Sequence, residues 1–284
     1  MERWVEETLH DGFRVRLKAD KVLFDSRTDH QQLVIFENED FGRVMMLDGV
    51  VQVSTRDEFV YHEMMAHVPL FAHGKAKTVL VVGGGDGGVL REVLQHPQIK
   101  RATLCEIDRS VIDLCRAHFP QISQGAYDDK RTRVVIADGT KFVAETKDRF
   151  DVILVDSTDP IGPGAVLFTK EFYTSCRRAL KPGGVLVTQN GLPFLQGPEL
   201  KESVGHFRAL FKDAHAYMAT TPSYFGDAMA YGWASDDEKL RQHSRKKIAK
   251  RYEKAGVFPT RYWNPQVQVA AFALPNYVRD LVEA

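Results

Sequence analysis

The run V-L-V-V-G-G-G-D-G-G at residues 79–88 decides the fold. Four apolar β-formers, Val79 to Val82, end in glycines, and Gly83, Gly85 and Gly88 keep the G-x-G-x-x-G spacing of a buried strand that turns tightly into a helix. In the dinucleotide version of this turn a pyrophosphate rests on the helix N-terminus, where free amides favour negative charge. Asp86 stands at that place and competes with an anion. The loop therefore points to a cationic ligand, the alternative being that Asp86 serves only as a helix cap.

From about residue 77 onward strands alternate with stretches of helical length. The strands are T-V-L-V-V, A-T-L-C-E, R-V-V-I-A, D-V-I-L-V and G-V-L-V-T-Q, a rhythm that predicts an α/β, Rossmann-like, doubly wound parallel sheet with helices on both faces. Ligands of such sheets bind at the carboxyl ends of the strands, and acids gather there: Asp86, Glu106, Asp138, then Asp156 and Asp159. Glu106 lies 23 positions after Gly83, close to the spacing of an acid that accepts from ribose hydroxyls. Asp138-Gly139 is placed like an acid for an exocyclic adenine amine beside a glycine that admits the ring. Either acid serves equally well as a helix cap. Together they describe adenosine without a phosphate site, the character of S-adenosyl compounds.

The segment D-S-T-D-P-I-G-P-G at 156–164 puts two carboxylates three positions apart in a constrained Pro/Gly loop, a candidate lid. Two carboxylates facing an amine favour its protonated form. Upstream, residues 12 to 54 carry short β-rich segments with Asp48-Gly49 as a hairpin turn. Thr55-x-x-Glu58 reads as a capping box opening a helix to about Phe71, with Pro69 marking its decay. The division expected is an N-terminal antiparallel β domain over 1–56 and a catalytic domain over 57–284.

Thirty-eight basic and thirty-eight acidic side chains give zero formal net charge, hence no global field for nucleic acid or anionic membrane. The basic run 240–254 is flanked by acids and reads as a solvated helix face. Three widely spaced cysteines without C-x-x-C suit a reducing cytoplasm and suggest neither a disulfide framework nor a zinc cluster. The N-terminus lacks an apolar leader, and no apolar stretch approaches the roughly 18 residues of a membrane span. The expectation is a cytoplasmic protein acting on a small molecule.

An ordered series of motifs then carries a family resemblance: W-V-E-E-T-L-H, T-D-H-Q, D-G-V-V-Q, R-D-E-F-V-Y-H-E-M, G-G-G-D-G-G, E-I-D, D-S-T-D-P-I-G-P, L-K-P-G-G and A-A-F-A-L-P. Nearly the whole chain resembles the bacterial spermidine synthases, the polyamine aminopropyltransferases. That resemblance implies an N-terminal β domain on a methyltransferase-type domain, assembly as homodimers or homotetramers, and transfer of the aminopropyl group of decarboxylated S-adenosylmethionine to putrescine. It implies neither a metal nor a prosthetic group. It assigns Gln31, Glu106, Asp138, Gly139 and Pro163 to the nucleoside co-substrate and Asp86 to the aminopropyl ammonium. Tyr61, His62, Ser157, Thr158 and Tyr224 fall to the amine pocket, Asp156 to the general base, and Asp159 to the far ammonium. Some members carry Gln where this chain has His62, and the loop beyond Tyr224 varies. Putrescine, cadaverine, agmatine and spermidine thus remain open as acceptors. A methyltransferase using intact S-adenosylmethionine shares the adenosine contacts, but Asp86 would repel its carboxylate. A non-catalytic polyamine sensor would keep the same pocket.

An alkylammonium with pKa near 10.4 is about 4.6 kcal/mol from being a nucleophile at pH 7. A base at about 3.9 removes that proton poorly, so burial and Asp159 are expected to raise Asp156.

Overall fold

The computed structural model describes residues 2–160 and 162–284, without the side chains of Gly162 and Pro163. The chain opens with a two-stranded ribbon, β1 (Arg3–His10) and β2 (Phe13–Ala19). A four-stranded antiparallel meander follows: β3 (Lys21–Arg27), β4 (Gln32–Asn38), β5 (Gly42–Leu47) and β6 (Val50–Ser54). The N-terminal region is thus two antiparallel sheets, one strand earlier and one sheet more than the expected single small sheet. Asp48 and Gly49 both take positive φ, 45° and 79°, as a two-residue turn between β5 and β6 requires.

Helix α1 (Glu58–His73) connects this region to the larger sheet and is buried on all sides from Val60 onward. Its beginning corrects the capping-box reading. The N-cap residue is Asp57, and Thr55 Oγ1 instead accepts from Arg43 N at 2.9 Å. Pro69 does not end the helix; Gly74 in the left-handed region does, donating N–H to Leu70 O at 2.8 Å.

The rest is β7 (Thr78–Gly83), α2 (Gly88–Leu94), β8 (Arg101–Glu106), α3 (Arg109–His118), α4 (Pro120–Ser123), β9 (Thr132–Ile136), α5 (Gly139–Glu145), β10 (Phe150–Asp156), α6 (Lys170–Ala179), β11 (Leu180–Gln189), α7 (Gly197–Leu210), β12 (Asp213–Thr220), β13 (Ala228–Ser235), α8 (Arg245–Lys254), α9 (Pro265–Ala270) and α10 (Asn276–Glu283). The sheet order is β12-β13-β11-β10-β7-β8-β9, with the five strands from β11 to β9 parallel and β13 and β12 antiparallel at one edge. β7, the first of the parallel strands, lies in the middle, so chain order reverses between β7 and β10. Such a switch point opens a crevice beyond the carboxyl ends.

Alternation along β7 explains the layers: Val79 and Val81 pack with Met64, Val68, Val89 and Leu90, while Leu80 and Val82 pack with Phe172, Tyr173, Val204 and Phe207. The N-terminal meander is fastened by Leu33, Ile35, Met45 and Val53 against Val111, Cys115 and Phe119 of the α3 region. No helix among the described residues is long and apolar enough to cross a membrane. The basic run forms α8 with a single buried residue, Ile248.

Candidate active site

The glycine turn and the acid loop meet where β7 and β10 end. Gly83 is the register partner of Asp156, and Gly84 N donates to Asp156 O at 2.9 Å. Gly84 has φ 68°, and a Cβ there would lie 2.6 Å from Asp156 Oδ2. Glycine therefore lets the Asp156 carboxylate lie back over the turn. Asp86 is buried, with Oδ1 accepting from Gly88 N at 2.7 Å. Asp86 thus takes the first amide of α2, whose N-cap is Gly87, and its charge also acts on Asp156.

Burial, and secondarily the Asp86 charge, push Asp156 up to about 7, with His62 and Tyr61 opposing. The neighbour that raises it is Asp86 rather than the expected Asp159. Asp159 turns elsewhere, accepting from Gln196 Nε2 at 2.7 Å. Tyr61 Oη donates to Asp156 Oδ1 at 2.7 Å, and its ring stands edge-on to Tyr224, 6.0 Å between centroids. Tyr224 Oη donates to Gln52 O at 2.6 Å in β6, so the loop after β12 is tied to the N-terminal region. Asp57 reinforces that tie by accepting from Ser223 N at 2.6 Å.

A narrow cleft of about 50 Å³ is lined by Tyr61, Asp156, Ser157, Asp159, Gln196 and Tyr224, with apolar walls from Leu9, Val51, Leu192, Phe225 and Met229. Glu7 also lines it. This acid was not anticipated: it comes from β1, and burial raises it to about 8, with a Val51 backbone bond opposing and Asp159 adding to the rise. The cleft is thus lined by three acids, Asp156, whose neighbour Asp86 lies outside the lining, and Asp159 with Glu7. Gln196 was likewise missed; only its position after L-P-F-L, far along the chain, brings it to Asp159. The Ser157 hydroxyl is buried without a partner among the described residues. Thr158 packs against Gly164 and does not line the cleft, nor does His62, which stands behind Asp86.

On the nucleoside side, Glu106 at the end of β8 is buried and raised to about 7, by burial first, with the amides of Asp108 and Ile107 opposing and the Asp108 and Asp156 charges adding. Its Oε1 accepts from Asp108 N at 2.9 Å, while Asp108 caps α3, so Glu106 itself is not the cap. Gln31 reaches this corner from the N-terminal region, its Nε2 donating to Asp108 Oδ2 at 3.2 Å. Asp138 caps α5 through Oδ1, which accepts from Thr140 N at 2.8 Å, leaving Oδ2 unused. Gly139 is required by the close approach of Val82, whatever else it admits. The side chain of Pro163, expected on the adenine side, lies outside the described residues.

Comparison with known proteins agrees over the whole chain. Residues 58–244 match the profile of the spermine/spermidine synthase domain, and residues 3–55 that of the spermidine synthase tetramerisation domain. The polyamine aminopropyltransferase of Ruegeria sp. (strain TM1040) is 51% identical over 280 residues, covering 99% of this chain and 98% of the relative. Polyamine aminopropyltransferase 1 of Pseudomonas aeruginosa is 52% identical, covering 98% and 96%. A spermidine synthase solved in complex with the transition-state analogue AdoDATO superposes with a TM-score of 0.92 at 38% identity, covering 100% of this chain and 97% of that one. The spermidine synthase of Thermotoga maritima gives 0.89 at 36% identity, covering 100% and 96%. With these matches and the acid-lined crevice at its switch point, the chain belongs to the spermidine synthase family of polyamine aminopropyltransferases.

Proposed function

We propose that this enzyme transfers the aminopropyl group of decarboxylated S-adenosylmethionine to putrescine by direct in-line displacement, with Asp156 as general base. The observation that carries the reading is a cleft with apolar walls, lined by Asp156 at one acidic station and by Asp159 with Glu7 at another, with Asp86 adjoining Asp156 outside it. Aliphatic methylenes suit such walls, and an ammonium suits each station. Glu106 and Asp138 take the ribose and the adenine, with Gln31 and Gly139 beside them, and Asp86 takes the ammonium of the transferred group. Asp159, Glu7 and Gln196 hold the far ammonium of the acceptor. Tyr61 and Tyr224 flank the reacting amine, and Ser157 offers its hydroxyl beside it.

Proton transfer from an ordinary alkylammonium to an ordinary aspartate is uphill by about 9 kcal/mol, and to one near 7 by about 5 kcal/mol. The sulfonium alongside lowers the amine further. The neutral nitrogen attacks the propyl carbon attached to sulfur, the carbon–sulfur bond breaks, and its electron pair leaves on sulfur as neutral 5′-methylthioadenosine. The proton ends on Asp156. Holding two cations in line by neutralising their charges is the protein's principal contribution.

Residues 1–56 then act as an assembly and pocket-closing unit in a cytoplasmic homotetramer, and 57–284 as the catalytic unit. The test is mass spectrometry of products from decarboxylated and intact S-adenosylmethionine with a panel of amines. Spermidine and methylthioadenosine in equal amounts, with putrescine preferred over cadaverine, agmatine and spermidine, are expected. A methylated amine would favour a methyltransferase, and no methylthioadenosine would favour a sensor.

A further inference from the structure

Asp86 ends a buried string of alternating charges. Its Oδ2 lies 3.2 Å from His62 Nε2, His62 Nδ1 lies 2.6 Å from Glu58 Oε2, and Glu58 Oε2 accepts from Arg91 Nη2 at 2.9 Å. Arg91 continues to Glu92 Oε1 through Nε at 2.7 Å and to Ile122 O through Nη1 at 2.7 Å. His62 is 2% exposed and Arg91 7%. A side chain at Gly88 would run into the His62 ring, so that glycine lets the imidazole reach Asp86.

A neutral imidazole has one N–H, whereas both ring nitrogens of His62 here face carboxylate oxygens that only accept when ionised. The arrangement is satisfied by an imidazolium donating both ways. Two neighbouring buried carboxylates, Asp86 and Asp156, ordinarily compete for a single proton. A fixed cation against one of them ends the competition. We propose that Glu58 is a positioning residue: by keeping His62 doubly protonated, it holds Asp86 ionised and aimed, and leaves the exchangeable proton to Asp156. The two acids thereby acquire separate tasks, holding an ammonium and accepting a proton.

The electrostatics agree in direction. Burial would lower His62, but Asp86 and Glu58 outweigh it and raise it to about 10, while Asp86, despite burial, is held below its ordinary value by His62, the Gly88 amide and Arg91. The groups facing His62 are Glu58 and Tyr61 from α1, Asp86 and Gly88 from the glycine turn and Asp156 from β10, with Arg91 of α2 beyond Glu58.

The inference rests on Asp86 contacting the donor ammonium, and the experiment separates the two. Nitrogen NMR of the full-length enzyme without substrate should show both His62 ring nitrogens protonated up to about pH 9. In Glu58→Gln the ring should lose a proton between about pH 6 and 8.5. The donor KM of that variant should be about tenfold above wild type at pH 8 and converge with it at pH 6, kcat changing less than threefold. Glu58→Asp should recover much of the loss. A wild-type His62 that is neutral at pH 7.5 overturns the proposal with no variant needed, as does a folded Glu58→Gln enzyme with unaltered titration and donor KM. Asp86→Asn probes the underlying reading: an unchanged donor KM there removes the ammonium role from Asp86 while the His62 titration still stands or falls by itself.

Discussion

Gly83 and Asp156 are register partners across the β7–β10 ladder, so the glycine turn and the loop that follows Asp156 leave the sheet side by side. Under the proposed roles, proximity of donor and base is therefore a property of strand pairing rather than of loop flexibility.

Replacing Asp156 by Asn should lower kcat by about 10³-fold, within the span typical of a lost general base, while methylthioadenosine binding by calorimetry stays within about threefold. Near-wild-type turnover would remove Asp156 from that role.

Tyr61→Phe deletes the O–H that donates to Asp156 Oδ1 at 2.7 Å, one of the influences lowering that acid. Activity as a function of pH should rise through about 7 in the wild type as Asp156 ionises. In the variant this acid limb should move to higher pH, with kcat about tenfold lower at pH 7.5. A profile whose acid limb stays put would disconnect the tyrosine from the base.

For Glu7→Gln the expected effect is on the acceptor alone: KM for putrescine raised about tenfold or more, KM for the donor unchanged. A monoamine such as propylamine, lacking a far ammonium, should be used equally by both enzymes. Equal penalties on monoamine and diamine would place Glu7 outside the acceptor station.

Stability should fall as pH rises from about 6.5 to 8.5. Glu7, Glu106 and Asp156 are raised to about 8, 7 and 7, so over this window the folded protein gives up protons that the unfolded chain has already lost. The stabilising part is complete below the ordinary carboxylate range and is lost through the folded values; His62, raised to about 10, acts in the same sense. Melting temperatures across the window should decline, and putrescine with methylthioadenosine should restore more at pH 8.5 than at 6.5. A flat or rising curve would contradict the raised carboxylates.

The five parallel strands were legible because each is a compact apolar run, buried on both faces in Val79–Val82 and Val152–Val155 and half-exposed only in the edge strand β9, where Val134 and Ile136 face outward. β12 and β13 were not: D-A-H-A-Y-M-A-T and A-M-A-Y-G-W-A-S are alanine-rich, and their strand character comes from antiparallel pairing with β11 and each other. β1 escaped because its acids look like surface residues until the ribbon turns Glu7 inward. Thr55 misled because its hydroxyl has a stronger local claimant in Arg43 N. Acids at strand ends advertised their place through topology. Glu7 and Gln196 carry no such local mark, since what brings them to the cleft is contact with Asp159, 37 positions from Gln196 and about half the chain from Glu7.

Glu7 reaches the cleft from the first ten residues, whereas Glu106 ends a strand of the central sheet and Asp138 follows one. Under the roles proposed above, the opening ribbon contributes to one reactant and the loops of the central sheet to the other. Grafting another relative's opening ribbon onto this chain offers a way to retune which diamine is elongated while the adenosine half is left intact.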